Sequence, residues 1–136
     1  MRLYYRIKNK IIYDVDSLKA RCQRFKRGYS YGDVWDMFDW FIRTTKPMLI
    51  HLREHHFGVP IEFENDESAW DFILTEMIDC LTLMDEDYAY AQHGFGDWDE
   101  RRKMTREDYE KVYRTMEDNK NRFFELFSKY FFSLWD

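Results

Sequence analysis

The sequence has 136 residues, a formal net charge of −5 at pH 7 and an aromatic content of 20%. Its length fits one domain with its own hydrophobic core, so we expect residues 1–136 to form a single helical domain. Its acidic balance argues against a basic nucleic-acid-binding protein. No secretory leader or membrane-spanning stretch is visible in the sequence, so we expect a cytoplasmic protein without a membrane partner.

The two cysteines, Cys22 and Cys80, do not form a C-x-x-C pair. This spacing argues against a zinc knuckle or a redox motif. Each cysteine lies in an apolar or mixed helical run, so we expect both to be buried as small hydrophobic residues in a reducing compartment.

Residues 1–15 form an N-terminal arm for which two structures remain open. Leu3, Tyr5 and Ile7 alternate with other residues at the period of a strand, and a turn at Asn9 would give a short β-hairpin. An isolated hairpin is only marginally stable, so such an arm would have to pack on other elements. A short helix is the alternative.

A first helix is expected to begin at Asp16 or Ser17 and to end at Gly28. Its exposed face would be strongly basic. The cations on this face are Lys19, Arg21, Arg24, Lys26 and Arg27.

A central helix follows, and Ser30 and Asp33 stand in the spacing of a capping box at its start. It would run to His56 with apolar residues at helical spacing. Pro47 lies inside this run, so we expect a kink near Thr44 and Thr45 or a break into two helices. The apolar stripe consists of Val34, Phe38, Phe41 or Ile42, Thr45, Leu49 and Leu52.

Two further helices complete the prediction. Asn65 or Asp66 would cap the third, whose core-facing positions are Trp70, Ile73, Met77, Leu81, Met84 and Tyr88. Thr105 and Asp108 form a second capping box before the last helix. Its segment from Phe123 to Trp135 is apolar over much of its circumference, which favours a homo-oligomer. The sequence therefore predicts an all-α, compact bundle of about four helices over residues 16–136.

Candidate catalytic and metal-binding groups are present but do not form a known motif. His51 and His55 share a helix face beside His56, yet the string H-L-R-E-H differs from the H-E-x-x-H of zincins. Glu76 and Asp79 also share a face, as paired carboxylates of magnesium enzymes do. Without a phosphate loop or a nucleophile motif, we predict no catalytic residue, no metal ligand and no cofactor, and regard these groups as solvated.

A basic and aromatic cluster lies beside the start of the central helix. Its members are Arg21, Arg24, Phe25, Lys26, Arg27, Tyr29 and Tyr31. Arginine binds phosphate in a bidentate manner, tyrosine stacks on bases, and the amides of a helix N-terminus attract anions. We therefore predict a ligand-binding site for a phosphate-bearing molecule at Arg24, Arg27, Tyr29 and Ser30.

The sequence also resembles a family of small bacteriophage and prophage proteins from Arg27 onward. The resemblance is carried by R-G-Y-S-x-x-D-x-W (Arg27–Trp35), by Gly58-Val59-Pro60, by Trp70-x-x-Ile73 with Met77-Ile78 and by the closing F-x-K-Y-F-x-x-L-W-D. It implies a viral protein that acts in the host bacterial cytoplasm, and a binding role rather than an enzymatic one. It implies no catalytic residues.

Together, these observations predict a phage-encoded binding protein that counters host defence. Its most concrete form is sequestration of a nucleotide-type immune signal by the basic and aromatic cluster. One alternative is a direct, anti-CRISPR-like inhibitor that docks on a host defence protein through its acidic faces. A second alternative is a metal-dependent phosphohydrolase or nuclease built on the carboxylates and histidines.

Overall fold

The computed structural model describes the backbone of residues 2–64 and 66–135 and the side chains of residues 13–64 and 66–135. Within these residues the fold is all-α, as the sequence predicts, and no strand is found. The α-helices are α1 (Arg2–Arg27), α2 (Tyr31–Trp35), α3 (Met37–His55), α4 (Glu67–Met84), α5 (Glu86–Gln92), α6 (Trp98–Arg101) and α7 (Arg106–Tyr130). Two short 3₁₀ helices, Ile61–Phe63 and Phe131–Ser133, complete the described elements.

The predicted count of about four helices and the possible hairpin are therefore wrong. Residues 2–15 belong to α1, which begins well before the predicted start at Asp16 or Ser17. A helix satisfies its backbone hydrogen bonds within its own segment, whereas an isolated two-stranded hairpin is marginal. Asp36 and Asp85 cap new helices within two of the predicted long ones, and α6 forms in the segment between the predicted third and last helices.

The contacts divide the chain into two units, residues 1–40 and residues 41–136. That the two units fold together as a single domain stays a prediction. Unit 1 contains α1, α2 and the first turn of α3, and α2 packs on α1. Gly28 ends α1 at a positive φ of 79°, and its amide donates to the Arg24 carbonyl at 2.8 Å. This left-handed cap turns the chain back along the helix.

The break between α2 and α3 lies at Asp36, whereas Pro47 predicts a kink near Thr44 and Thr45 or a break into two helices. The Asp36 carboxylate accepts from the Asp39 amide at 3.1 Å, so it caps the helix that follows. A side chain that bonds to the backbone in this way competes with helix continuation. α3 then continues through Pro47 to His55.

Unit 2 has its core between α4 and α7, which pack along each other. Trp70, Met77, Leu81 and Met84 of α4 are buried, as their spacing predicts. Tyr88 is 52% exposed because Asp85 ends α4 and caps α5, which breaks the predicted stripe before its last residue. The predicted cap Asp66 begins α4 by accepting from the Ala69 amide at 3.1 Å; the alternative cap, Asn65, lies outside the described residues.

The last helix contributes a cluster of rings to this core. Phe123 is fully buried, and its ring stacks on Phe127 with centroids 5.2 Å apart. Tyr130 packs edge-on against Trp70 at 5.4 Å. Much of the apolar circumference of α7 is thus covered by α3 and α4 within unit 2. Of the four exposed rings between Phe123 and Trp135, three follow Tyr130.

Candidate ligand-binding site

The site predicted at the end of α1 lies wholly within unit 1. Its centre is an ion pair between Arg24 and Asp33, with Nε to Oδ2 at 2.9 Å and Nη2 to Oδ1 at 2.6 Å. The Asp33 side chain is only 3% exposed, whereas that of Arg24 is 46% exposed. A bidentate pair of this geometry fixes the turn between α1 and α2.

Asp33 also completes the predicted capping box. Its Oδ2 accepts from the Ser30 amide at 2.7 Å, and the Ser30 side chain faces the Asp33 amide in the reciprocal position. The Ser30 hydroxyl is buried there without a hydrogen bond of good geometry. Arg24 and the Ser30 amide together hold the pKa of Asp33 well below its usual range.

The amides at the start of α2 are therefore already occupied. The Asp33 carboxylate accepts a hydrogen bond from the Ser30 amide, and the Gln23 side chain accepts one from the Tyr31 amide at 2.9 Å. The position predicted for a phosphate, at the start of α2, is therefore occupied by the side chains of Asp33 and Gln23. Of the four predicted site residues, Arg24 and Ser30 are held in this network.

Arg27 and Tyr29, the other two predicted residues, lie on the surface beside Tyr31. The Arg27 guanidinium carbon is 4.2 Å from the Tyr31 ring centroid and 5.1 Å from that of Tyr29. Hydrogen bonding to Arg27 and its positive charge lower the pKa of the Tyr31 hydroxyl. Tyr31 remains 64% exposed, so much of its ring is available to a ligand.

A groove of about 420 Å³ adjoins this pair, in the size range of small-molecule sites. We call it the basic groove; it is lined by Lys19, Cys22, Gln23, Lys26, Arg27 and Tyr31. Lys19 forms a long ion pair with Asp16 at 3.7 Å, and both side chains are well exposed. Within the described side chains, neither Lys26 nor Arg27 pairs with a carboxylate.

Lys26 and Tyr31 belong to the predicted basic and aromatic cluster but are not among the four predicted site residues. The sequence also predicts that Cys22 is buried, whereas Cys22 is exposed and Cys80 is buried. Helical periodicity carries the missing signal, because residues 19, 22, 23 and 26 are three, four and seven positions apart and share one face of α1.

The histidines lie in unit 2 and make other contacts. His51 and His55 stack with ring centroids 4.4 Å apart, and the His56 Nε2 is 2.8 Å from Asp71 Oδ1. In the part of the chain that the structure describes, no group of three His, Cys, Asp or Glu side chains is placed to hold a metal ion. Glu76 forms an ion pair with Arg122 at 2.6 Å.

Comparison of the chain with protein-family models, curated proteins and solved structures returned no match. Among the described helices, none combines the length and the apolar character needed to cross a membrane.

Proposed function

We propose that the chain is a phage-encoded protein that counters host defence in the bacterial cytoplasm by sequestering a nucleotide-type immune signal. The observation that carries the proposal is the basic groove, where Lys26 and Arg27 lie beside the exposed ring of Tyr31. Cations without a carboxylate partner attract phosphate, and an exposed tyrosine offers a stacking surface for a base. The phage part of the proposal rests on the sequence resemblance.

The charge of unit 1 supports an anionic ligand. Residues 1–40 contain nine Lys and Arg against five Asp and Glu, a formal net charge of +4. Residues 41–136 contain 12 basic and 21 acidic residues, a net charge of −9. An overall acidic chain therefore carries a basic unit, and a phosphorylated ligand is attracted to that unit.

Calorimetric titration of the full chain with cyclic nucleotides and ADP-ribose-type nucleotides tests this proposal. We expect one of them to bind, and Arg27→Ala or Lys26→Ala to weaken binding about 10–100-fold, the scale of a charged hydrogen bond. Tyr31→Ala should weaken it by about 5–100-fold if the ring stacks on the base.

The chain offers a matched control for these variants. Arg102 lies over the Trp98 ring at 5.6 Å, an exposed cation–aromatic pair in unit 2. Arg102→Ala should leave nucleotide binding unchanged. A wild-type protein that binds no nucleotide in the panel, or binding that Arg27→Ala and Tyr31→Ala leave intact, would contradict the proposed site.

A direct inhibitor of a host defence protein is the second candidate, because several exposed rings could bury against a protein partner. Phe25 is 92% and Trp35 is 93% exposed. Aromatic side chains are enriched at the energetic centres of protein interfaces. In this case a purified defence protein should bind the wild-type chain and the Arg27→Ala variant equally, and Trp35→Ala should weaken the complex. The metal-dependent hydrolase gains no comparable support from the described residues.

A further inference from the structure

One end of unit 2 exposes an apolar surface that we call the C-terminal patch. Its members are Met48, Ile61, Phe131, Phe132 and Trp135, which are 67%, 91%, 52%, 90% and 69% exposed. Groove linings connect them, since Trp135 borders one groove together with Ile61 and a second together with Met48 and Phe131. Contiguous apolar surface of this extent on a soluble chain is typical of an interaction site.

The second of these grooves is mainly apolar. It has a volume of about 620 Å³, and most of its lining is aliphatic or aromatic. Its apolar lining includes Met48, Leu52, Phe127, Phe131, Leu134 and Trp135. Phe132 is not part of this lining; its ring lies 5.3 Å from that of Phe131 and projects beside the groove.

We propose that the C-terminal patch binds a second copy of this chain across a two-fold axis. Phe132 of each copy would insert into the apolar groove of the other and contact Met48 at its rim. A two-fold interface requires a surface that is complementary to itself. A projecting ring and an apolar groove side by side on one surface meet this requirement.

The size of the patch fits this occupant. The five side chains present roughly 100–200 Å² each, or on the order of 700 Å² per copy. A standard protein–protein interface buries about 800 Å² per partner. The patch is thus large enough for a specific dimer.

The charges near the patch also fit a second copy. Lys129 and Glu62 lie at its edge with Nζ and Oε2 3.9 Å apart, so opposite charges are present there together. Because Lys129 and Glu62 balance each other, this edge carries no net charge that would repel a second copy. The apolar residues of α1 differ, because Phe25 is flanked by Arg24 and Lys26, and self-association there would bring like charges together.

Sedimentation analysis of the full chain tests the proposal, and Phe25 provides the matched control. Phe25 and Phe132 are 92% and 90% exposed. Replacing either ring by glutamate therefore changes an equally exposed side chain, but only Phe132 lies in the C-terminal patch. We expect a dimer for the wild type and for Phe25→Glu, and a monomer for Phe132→Glu, all with the same helical circular dichroism. A wild-type monomer at micromolar concentration, or a dimer that only Phe25→Glu dissociates, would overturn the proposal.

A charge-swap experiment tests the contact itself. Met48→Lys should also give a monomer, because dimerisation would then bury an unpaired ammonium group in each apolar groove. An equimolar mixture of Met48→Lys and Phe132→Glu should form dimers again. In such a mixed dimer one contact pairs the introduced lysine with the introduced glutamate, and the other contact is wild type. A mixture that stays monomeric would refute the insertion of Phe132 at Met48.

Discussion

At the scale of single residues, Asp33 links the end of α1 to the start of α2. It accepts hydrogen bonds from Arg24 and from the Ser30 amide while its side chain is 3% exposed. A nearly buried carboxylate that keeps its charge must be compensated by such donors. Arg24 therefore stabilises the turn between α1 and α2, whereas Arg27 contacts Tyr29 and Tyr31 and is the arginine that we propose for ligand binding.

The lowered pKa of Asp33 makes stability depend on pH. Its unfolded pKa is about 3.9, so its stabilising contribution is complete above that value and is lost as pH falls toward the lower folded pKa. We expect Asp33→Asn to lower the urea midpoint at pH 7, and the difference from wild type to shrink below about pH 4.

Asp14→Asn is the control for this measurement, because Asp14 is an exposed carboxylate of the same unit. It should leave the urea midpoint unchanged at every pH. A deficit of Asp33→Asn that stays constant down to pH 2 would show that the charge of Asp33 does not contribute through its ion pair.

Gly28 provides a second prediction at this scale. Its φ of 79° is strained for a residue with a side chain, although an added Cβ would meet no atom within 4 Å. Gly28→Ala should therefore lower the free energy of unfolding by about 1–2 kcal/mol, the cost of a left-handed conformation. Gly58 has equally open surroundings without a positive φ, so Gly58→Ala should cost clearly less in the same urea titration.

At the scale of elements, α4 organises unit 2. Trp70, Leu74, Met77 and Leu81 are each at most 1% exposed and face α7 and α3. On the opposite side of α4, Phe72 is 67% exposed. The structure of α4 is thus amphipathic, as its sequence pattern predicts. Its buried face packs against the aromatic rings of α7.

Substitutions on the two faces of α4 should therefore differ strongly. Trp70→Ala should lower the free energy of unfolding by about 3–5 kcal/mol, as for truncation of a buried ring. Phe72→Ala, a ring truncation in the same helix, should cost less than about 1 kcal/mol. Chemical denaturation followed by circular dichroism measures both; equal losses would contradict the packing of α4.

The elements also explain which features could be predicted from sequence. The capping boxes of Ser30 and Thr105 and the buried face of α4 follow from spacings within one helix, and the structure has them. The α2–α3 break at Asp36 was not predicted, because a single aspartate in a helical pattern is only a weak signal that the helix ends there. The exposure of Cys22 was missed because an apolar helix face does not reveal whether another element covers it.

Only those features of the candidate site that depend on neighbouring residues in the sequence could be predicted. Sequence reasoning found the basic and aromatic cluster, but it could not find the partner of Arg24. That partner, Asp33, is nine residues away and reaches Arg24 only because Gly28 turns the chain back. Which cation of the cluster pairs with a carboxylate therefore depends on this turn.

At the scale of the whole molecule, the chain separates two kinds of surface. Unit 1 has a net charge of +4 and carries the basic groove, whereas unit 2 has a net charge of −9 and carries the apolar C-terminal patch. Electrostatic attraction is screened by salt, whereas apolar association is strengthened by sulfate.

The two proposed interactions should therefore respond to salt in opposite directions. We expect the affinity for a phosphorylated nucleotide to fall as sodium chloride rises, and the dimer dissociation constant to fall as ammonium sulfate rises. Calorimetric titration and sedimentation at several salt concentrations measure the two responses. Nucleotide affinity that is independent of salt would argue against a site built on Lys26 and Arg27.

The most direct test of the central claim is the identity of the small molecules that the protein retains in bacteria. The chain is purified from cells with an active nucleotide-based defence, denatured, and the released molecules are analysed by mass spectrometry. We expect a phosphorylated nucleotide from the wild type and from Arg102→Ala, and its loss from Arg27→Ala and Tyr31→Ala. The absence of any nucleotide from the wild type, or equal release from all four proteins, would contradict sequestration at the basic groove.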